Sequence, residues 1–179
     1  MTLGLQRGTV KLVDHDSLWK EFFDDEKIEL QKIFGGNILA VEHVGSTAIP
    51  EIKAKPILDL MVAIPSLNNW KEYEGGLQKL DYQFRTDFRP NQAHILFVKG
   101  PEESRTHYLK LTELNSDFWK EHLLFRDFLI AHHEYRKEYE DLKTMLLEEY
   151  GGERERYTEG KKVFIEKILK LAGYTGRVV

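Results

Sequence analysis

The sequence contains no cysteine, and this absence excludes disulfide bridges and metal sites built from thiolates. Long apolar runs are missing as well, since no stretch approaches the ~20 residues that a membrane-spanning helix needs. Near the amino terminus, Arg7 and Lys11 stand where a secretion signal would carry its apolar segment. These absences predict a cytoplasmic protein with no membrane partner.

An excess of positive charge is also lacking, because 26 Lys and Arg residues face 30 Asp and Glu residues and leave a net charge of −4. Nonspecific nucleic-acid binding draws its affinity from neutralising phosphates, so we expect no nucleic-acid partner. The net charge does not exclude a local basic pocket. The cations in the middle of the chain are Lys53, Lys55, Arg85, Arg89, Lys99 and Arg105.

Hydrophobic residues make up 41% of the 179 residues, enough for one ordinary domain with a full core. They recur at helical spacing in 18–34, after a predicted cap at Asp16-Ser17, and Gly35-Gly36 predicts the end of that helix. Asn115-Ser116-Asp117 predicts the start of a helical tail. Further helices are predicted at 67–80, 117–150 and about 153–171.

Extended segments are predicted at 37–44, 56–64, 82–86, 93–98 and 106–112. The segment 56–64 is apolar almost without interruption, which is typical of a strand buried on both faces and of a sheet covered by helices. This order of elements predicts an α/β or α+β fold with a mixed sheet flanked by helices. We expect one domain over 1–179, with the sheet in about 1–113 and a helical tail packed on it in about 114–179.

The turn at Gly45, Ser46 and Thr47, between the first two predicted strands, carries the chemistry of the sequence. Glycine lets the backbone approach a ligand closely, the following N–H groups form an anion nest, and the hydroxyls can donate to phosphate oxygens. Lys55 precedes the second strand, and Asp59 within it can bind a divalent cation. Because magnesium is commonly held by one or two carboxylates plus substrate phosphates, these residues predict a phosphate site with Mg²⁺. A Gly-Ser turn alone also fits an ordinary loop.

The segment 41–64, VEHVGSTAIPEIKAKPILDLMVAI, closely resembles the signature of the GrpB family, a group of small bacterial proteins in the nucleotidyltransferase superfamily. The resemblance covers nearly the whole chain. Its further motifs are RTHYLKL at 105–111, FRDFL at 125–129, YEDLK at 139–143 and YTEGKKVFI at 157–165. It implies a nucleotidyltransferase-like sheet. Members of this family also occur fused to dephospho-coenzyme A kinase, which implies ligands related to adenine nucleotides or coenzyme A.

The chain departs from the superfamily pattern at its metal site. Side chains two apart on a strand share a face, so Asp59 and Met61 should point the same way, and the pattern implies a carboxylate at both positions. Methionine is not a useful magnesium ligand. A third carboxylate has no clear counterpart among the candidates Asp87, Glu113 and Glu42. The resemblance therefore implies a metal site that is reduced to Asp59 or completed by other residues.

Two histidines are candidates for acid–base work, His43 before the turn and His107 in the last predicted strand. Glu42 and His43 alternate, so a regular strand directs only one of them to the ligand, and His43 otherwise braces the turn. Arg105 shares the face of His107. Together they suit an anionic ligand or, alternatively, a plain cross-strand contact with His94.

In the predicted tail, Arg126, Lys143, Tyr157 and Lys161 match recurring positions of the family. If the tail folds over the sheet, these cations close the pocket on a phosphate. The alternative is that they are charges on helix surfaces and that Tyr157 is packing. His132-His133 lies at a predicted helix boundary, and we expect this pair to be exposed to solvent rather than to bind a metal.

Two functions of different class follow from these residues. The first is binding of a nucleoside triphosphate with Mg²⁺, with transfer of a nucleotidyl group to a small acceptor. The second is a noncatalytic module that binds a nucleotide or a coenzyme A-related phospho-ligand through a degenerate metal site. An interaction domain with a relic pocket is a third interpretation. The predicted catalytic residues are Asp59, which also holds the metal, Lys55, His43 and His107. The predicted ligand-binding residues are Gly45, Ser46, Thr47, Arg105, Lys143, Tyr157 and Lys161.

Overall fold

A computed structural model describes residues 3–85 and 93–176, and its first helix, α1 (Leu18–Phe34), begins and ends where the sequence predicts. Asp16 supplies the cap, because the Leu18 N–H donates to Asp16 Oδ1 over 3.1 Å. The helix ends at Gly35, whose φ of 52° lies in the left-handed region that glycine adopts without strain. The buried apolar residues of α1 are Trp19, Phe23, Leu30 and Phe34.

The described strands are β1 (Ala40–Val44), β2 (Leu58–Ile64), β3 (Tyr82–Phe84), β4 (Ile95–Lys99) and β5 (His107–Glu113). They form one sheet in the order β1-β2-β5-β4-β3. Strands β2 and β5 are parallel and the other neighbours are antiparallel, so the predicted mixed sheet is confirmed. The predicted end of the third strand at Thr86 lies outside the described residues, as do Asp87 and Arg89.

Strand β2 is buried on both faces, as its apolar run predicts. Leu58, Leu60, Val62 and Ile64 join the main core with α1 and with α2 (Lys71–Lys79), and we call this side of the sheet the α1 face. Met61 packs on the opposite side against Phe118 and Trp119 of the helical tail. We call that side the cavity face. Since side chains alternate along a strand, the same division applies to the strands on either side of β2.

The tail consists of α3 (Asp117–Ala131), α4 (His133–Tyr150), α5 (Arg154–Glu159) and α6 (Lys162–Leu171). Ser116 caps α3 as predicted by accepting from the Trp119 N–H over 3.2 Å. The predicted helix 117–150 is interrupted at His132, whose extended backbone (φ −123°, ψ 96°) turns the chain between α3 and α4. The predicted last helix is interrupted as well, between α5 and α6. Lys161 lies at that second interruption.

The tail packs on the cavity face and on the segment between β1 and β2. Ile49 and Ile52 of that segment are buried against Leu129 of α3, Tyr139 of α4 and Ile168 of α6. The helical tail therefore covers the Gly-Ser turn and forms the second wall of the space beside it. No helix within 3–85 and 93–176 is long and apolar enough to cross a membrane.

Candidate phosphate-binding cavity

The turn after β1 brings the backbone of Gly45 against the side chain of Asp59. Gly45 has φ 70° and ψ −172°, a conformation that is nearly restricted to glycine. A Cβ at this position would lie 2.8 Å from Asp59 Oδ2 and 3.0 Å from Asp59 Cβ. The chain then makes a single helical turn at Ser46–Ala48. The glycine therefore allows the turn and the aspartate to form one surface.

The two hydroxyls of the turn have different partners. Thr47 is buried, and its Oγ1 donates to the Ile57 carbonyl over 3.3 Å and lies 2.9 Å from His43 Nε2. Because a hydroxyl has a single proton, the His43 ring is the donor of the second bond. The Ser46 hydroxyl instead bonds the hydroxyl of Tyr139, whose pKa is raised to about 12 by burial. Thr47 thus holds the turn in place, whereas Ser46 faces α4.

Asp59 has an ammonium group beside it. Lys110 of β5 places its Nζ 3.2 Å from Asp59 Oδ1. This contact follows from the sheet, because β2 and β5 are parallel neighbours and Lys110 is in register with Met61. Met61 is on the cavity face, as predicted, but it is fully buried under Phe118 and Trp119. The position at which the superfamily pattern implies a second carboxylate is therefore flanked by a lysine.

Further cations line the same cavity. They are Lys55 before β2, Lys143 of α4, Arg154 of α5 and Lys161 between α5 and α6. The Nζ atoms of Lys55 and Lys161 lie 5.3 and 4.9 Å from the centre of the Tyr157 ring. In the part of the chain that the structure describes, neither of these two lysines forms an ion pair. A cation over a tyrosine face gains ~0.5–2 kcal/mol, which is less than a buried charge needs.

Lys143 and Arg154 are held by hydrogen bonds. Lys143 is 2% exposed and donates to the backbone carbonyl of Lys53. Arg154 donates to the Tyr108 hydroxyl over 3.3 Å, and its guanidinium lies over the Tyr108 ring. Both residues line the same cavity as Asp59.

Three lysines of the cavity, Lys55, Lys143 and Lys161, have pKa values well below the usual value of their side chain. Burial lowers the pKa of Lys55 to about 8, and the positive charge of Arg154 lowers it further. Burial likewise lowers the pKa of Lys161 to about 7, with Lys55 as the second cause. The pKa of Lys143 falls to about 7 through burial, which the carboxylate of Glu140 opposes and Lys161 reinforces. The cations therefore repel one another across the cavity.

The space enclosed by the sheet and the tail has a volume of about 1020 Å³. This is at the upper end of the usual range for small-molecule sites, so a nucleotide-sized ligand fits. Aromatic side chains line it beside the cations, including Tyr108, Phe125 and Tyr139. The cavity thus combines positive charge with flat apolar surface.

The structure brings most of the predicted ligand-binding residues together. Gly45, Ser46, Thr47, Lys55, Asp59, Lys143, Tyr157 and Lys161 all line this cavity. The tail lies over this side of the sheet, and Lys143 and Lys161 lie in the cavity wall rather than on an outer helix surface.

His43 does not reach the cavity. It shares the α1 face with Val41, and its ring stacks on Phe23 of α1 with 4.9 Å between centroids. Burial lowers the pKa of His43 to about 4, so the ring is neutral near pH 7. The predicted catalytic role is replaced by the alternative, a structural histidine that braces the turn through Thr47.

His107 and Arg105 are also outside the cavity. His107 lies on the α1 face, where Nδ1 is 2.8 Å from Thr106 Oγ1 and Nε2 is 4.0 Å from Glu26 Oε2. Burial, and secondly Lys99, lower the pKa of His107 to about 3. Arg105 is buried and donates to the carbonyl of Gly100. The predicted catalytic and phosphate-binding roles do not fit these positions, because both side chains are buried and neither lines the cavity.

The candidate carboxylates for a third metal ligand are engaged elsewhere. The Oε2 atom of Glu42 lies 2.7 Å from Arg126 Nη1. This ion pair engages Glu42 and also Arg126, which was predicted to close the pocket on a phosphate. Glu113 accepts from the Leu67 N–H over 2.9 Å at the far end of β5. The third candidate, Asp87, lies outside the described residues. Neither described candidate therefore completes a metal site with Asp59.

Several residues of the cavity were not predicted from the sequence, and among them are Lys110, Arg154 and His122. Lys110 had a signal, because Leu109 and Leu111 alternate with it and mark the opposite face as core. His122 of α3 is partly buried, its Nδ1 lies 2.9 Å from the Phe118 carbonyl, and burial lowers its pKa to about 3. Arg154 has no signal in the sequence, since its place depends on how α5 packs.

Magnesium, which the family resemblance implies, does not fit the donors of this cavity. Mg²⁺ requires oxygen ligands at about 2.0–2.1 Å in octahedral geometry. Asp59 offers a carboxylate, but its neighbours on the cavity face of β2 and β5 are Met61, Tyr108 and Lys110, and Glu42 of β1 is paired with Arg126. Across 3–85 and 93–176 there is no group of three acidic, histidine or cysteine side chains that could hold a metal.

Comparison with known proteins places these features in a family. The family described as GrpB protein matches residues 9–171. The Glutamate-rich protein GrpB of Alkalihalophilus pseudofirmus is 38% identical over 173 residues, which are 93% of this chain and 98% of that protein. The crystal structure of the conserved protein GrpB from Enterococcus faecalis superposes with a TM-score of 0.81 and 28% identity, covering 90% of this chain and 96% of that one.

A more distant relative is the dephospho-CoA kinase of Mycobacterium leprae. It is 24% identical over 180 residues, and the match covers 86% of this chain but only 44% of that protein. The similarity thus concerns a part of a longer protein. Together with the match over 9–171 and the relative at 38% identity, the fold and the ordered motifs show that the chain belongs to the GrpB family.

Proposed function

We propose that this chain binds a phosphorylated small molecule, a nucleotide or a coenzyme A-related compound, in the cavity between the sheet and the tail. The observation that carries the proposal is the excess of cations around the Gly45–Asp59 unit. Lys55 and Lys161 direct ammonium groups into the cavity without a carboxylate partner among the described residues.

The cost of this arrangement supports a ligand of negative charge. A buried ammonium loses hydration and is stable only when it is paired, so its pKa falls. Lys143 and Lys161 have pKa values of about 7 for this reason. A phosphate group would supply the missing partner and raise both pKa values, and perturbed titratable groups in a cleft are typical of binding sites.

The shape of the cavity favours a ligand larger than phosphate. Its volume of about 1020 Å³ exceeds what a single phosphate fills. Tyr108 and Phe125 offer ring surfaces on which a nucleobase can stack. The relative named as a dephospho-CoA kinase supports the same ligand class, because a protein of that name acts on dephospho-coenzyme A.

Nucleotidyl transfer is the second candidate, and one observation favours it. Asp59 touches the Gly45 backbone at the start of β2, which is where the family resemblance expects a metal-binding carboxylate. The donors beside it do not fit Mg²⁺, so binding without transfer is the function that we propose.

A binding experiment tests the proposal. The melting temperature and calorimetric Kd would be measured with ATP, ADP, coenzyme A and pyrophosphate, with EDTA and with excess Mg²⁺. We expect at least one of these ligands to raise the melting temperature by several degrees at saturation. Lys161→Met should weaken its binding about tenfold or more, since a charge-assisted contact is lost.

Lys170→Met is the matched control, because Lys170 is an exposed lysine at the end of the neighbouring helix α6. It should leave Kd unchanged. Absence of binding by all four ligands under both conditions would overturn the proposal. Release of pyrophosphate from ATP that requires Mg²⁺ and disappears in Asp59→Asn would favour nucleotidyl transfer instead.

A further inference from the structure

Lys110 and Asp59 form an ion pair in the wall of the cavity. Lys110 Nζ lies 3.2 Å from Asp59 Oδ1, and both side chains are partly buried, with 19% and 28% of their surface exposed. Lys110 reaches this place because its strand pairs with β2 in parallel, with Lys110 opposite Met61. A fixed positive charge therefore occupies the space next to the carboxylate.

An ammonium group can do part of the work of a metal ion. It carries three N–H donors, of which Asp59 takes one, so the others are available to phosphate oxygens. It also neutralises phosphate charge, as a bound cation does in many phosphate sites. A divalent ion at Asp59 would instead lie within a few ångströms of the Lys110 charge and would be repelled by it.

We propose that Lys110 takes the place of the divalent cation, so that the cavity binds its phosphorylated ligand as the metal-free anion. The inference rests on the proposed function. Lys55, Lys161 and Arg154 surround the same space and add to the positive field. Since Mg²⁺ bound to a nucleotide cancels two of its negative charges, the magnesium complex is the weaker ligand for this cavity.

The experiment compares calorimetric Kd values for ATP and for inorganic tripolyphosphate in EDTA and in excess Mg²⁺. We expect wild type to bind in EDTA, and more weakly, by several-fold, in Mg²⁺. In EDTA, Lys110→Gln should weaken binding about tenfold or more, the loss of one charge-assisted contact. Asp59→Asn should stay within about threefold of wild type in EDTA, because it leaves the ammonium group in place.

Lys99→Gln is the matched control for Lys110→Gln. Lys99 is also a strand lysine paired with a carboxylate, but its partner is Glu26 on the α1 face. It should bind ATP as wild type does, once melting curves show that both variants are folded.

Each outcome has a distinct meaning. Binding that requires Mg²⁺ and is lost in Asp59→Asn would overturn this inference while the proposed function stands. The inference would also be wrong, with the proposed function intact, if Lys110→Gln binds in EDTA as tightly as Lys99→Gln. Absence of ATP and tripolyphosphate binding in both EDTA and Mg²⁺ would overturn the inference, whereas the proposed function falls only if ADP, coenzyme A and pyrophosphate also fail to bind.

Discussion

The two faces of the sheet treat charge in opposite ways. On the α1 face, the Nζ atom of Lys99 lies 2.9 and 3.0 Å from the two carboxylate oxygens of Glu26. The charge of this partly buried lysine is therefore neutralised within the protein. On the cavity face, Lys55 and Lys161 have the ring of Tyr157 nearby but no carboxylate among the described residues. The α1 face, which we call the closed face, therefore satisfies its charges by folding. The cavity face, which we call the open face, pairs some of its charges, as in Lys110–Asp59, but leaves Lys55 and Lys161 for a ligand, at a cost in stability.

Two histidines show that a reactive residue type can be fully accommodated by packing on the α1 face. His43 and His107 have the chemistry of catalytic residues, yet both lie on the closed face as neutral, packed rings. The pKa of each ring is lowered chiefly by burial in the core, and a residue type alone does not mark a site. The unsatisfied charge on the open face is the more informative signal.

The largest effect that we expect comes from Gly45→Ala, which would displace the turn after β1 on the open face. The new Cβ would lie 2.8 Å from Asp59 Oδ2, and φ 70° with ψ −172° is strained for alanine. The free energy of unfolding should fall by about 3 kcal/mol, and ligand binding should be lost because the turn is displaced. Urea denaturation and calorimetry measure these two changes.

Gly36→Ala is the control for this substitution. A Cβ at Gly36 would meet no atom within 4 Å, and the residue has no positive φ. We expect its effect to stay within about 0.5 kcal/mol. Equal effects of the two substitutions would show that Gly45 is not specially required.

The next effect concerns the closed face, where Lys99→Met should leave Glu26 buried without its partner. Removal of one partner from a buried ion pair is strongly destabilising, and Lys99 is partly exposed, so we expect a loss of about 2 kcal/mol. Thermal denaturation measures it. Lys32→Met, which removes an exposed ion pair with Glu29 at 2.7 Å, should change stability by less than about 0.5 kcal/mol. If both variants lose the same amount, the closed face does not depend on paired charge.

Much of the fold was predictable because its signals are local. Helix α1 was predicted to the residue from apolar spacing and flanking caps, and the buried strand β2 from its unbroken apolar run. A helix boundary at His132-His133 was also predicted, although the helical pattern of 117–150 continues on both sides without glycine or proline. There the aromatic stacking of His132 on Phe128 and the packing of α3 against α4 decide the backbone.

The site was predictable where its parts are close in sequence. Gly45, Lys55 and Asp59 lie within one strand–turn–strand unit, so spacing alone groups them. Lys110 depends on β5 pairing in parallel with β2, a register that no local signal fixes. For His43, alternation along β1 separated it from Glu42 but did not say which of the two faces is core.

The smallest expected effect is a gain in stability rather than a loss. It tests most directly whether the open face carries unpaired charge. Lys161→Met removes an unpaired charge from the open face and keeps most of the volume of the side chain. We expect the ligand-free protein to gain about 1 kcal/mol of stability at pH 7, even as ligand binding weakens. Lys170→Met, on an exposed part of α6, should be neutral. Chemical denaturation of the three proteins measures the difference.

The gain should depend on pH in a defined direction. The pKa of Lys161 is about 7 in the folded protein, below its ordinary value of 10.5, so the unfolded state binds more protons between these values. The destabilisation by Lys161 is therefore complete below about pH 7 and declines as the pH rises towards 10. The advantage of Lys161→Met should shrink over that interval. An advantage that stays constant from pH 6 to pH 9 would show that the substitution acts through packing on Tyr157, and the unpaired charge would then not be what separates the two faces.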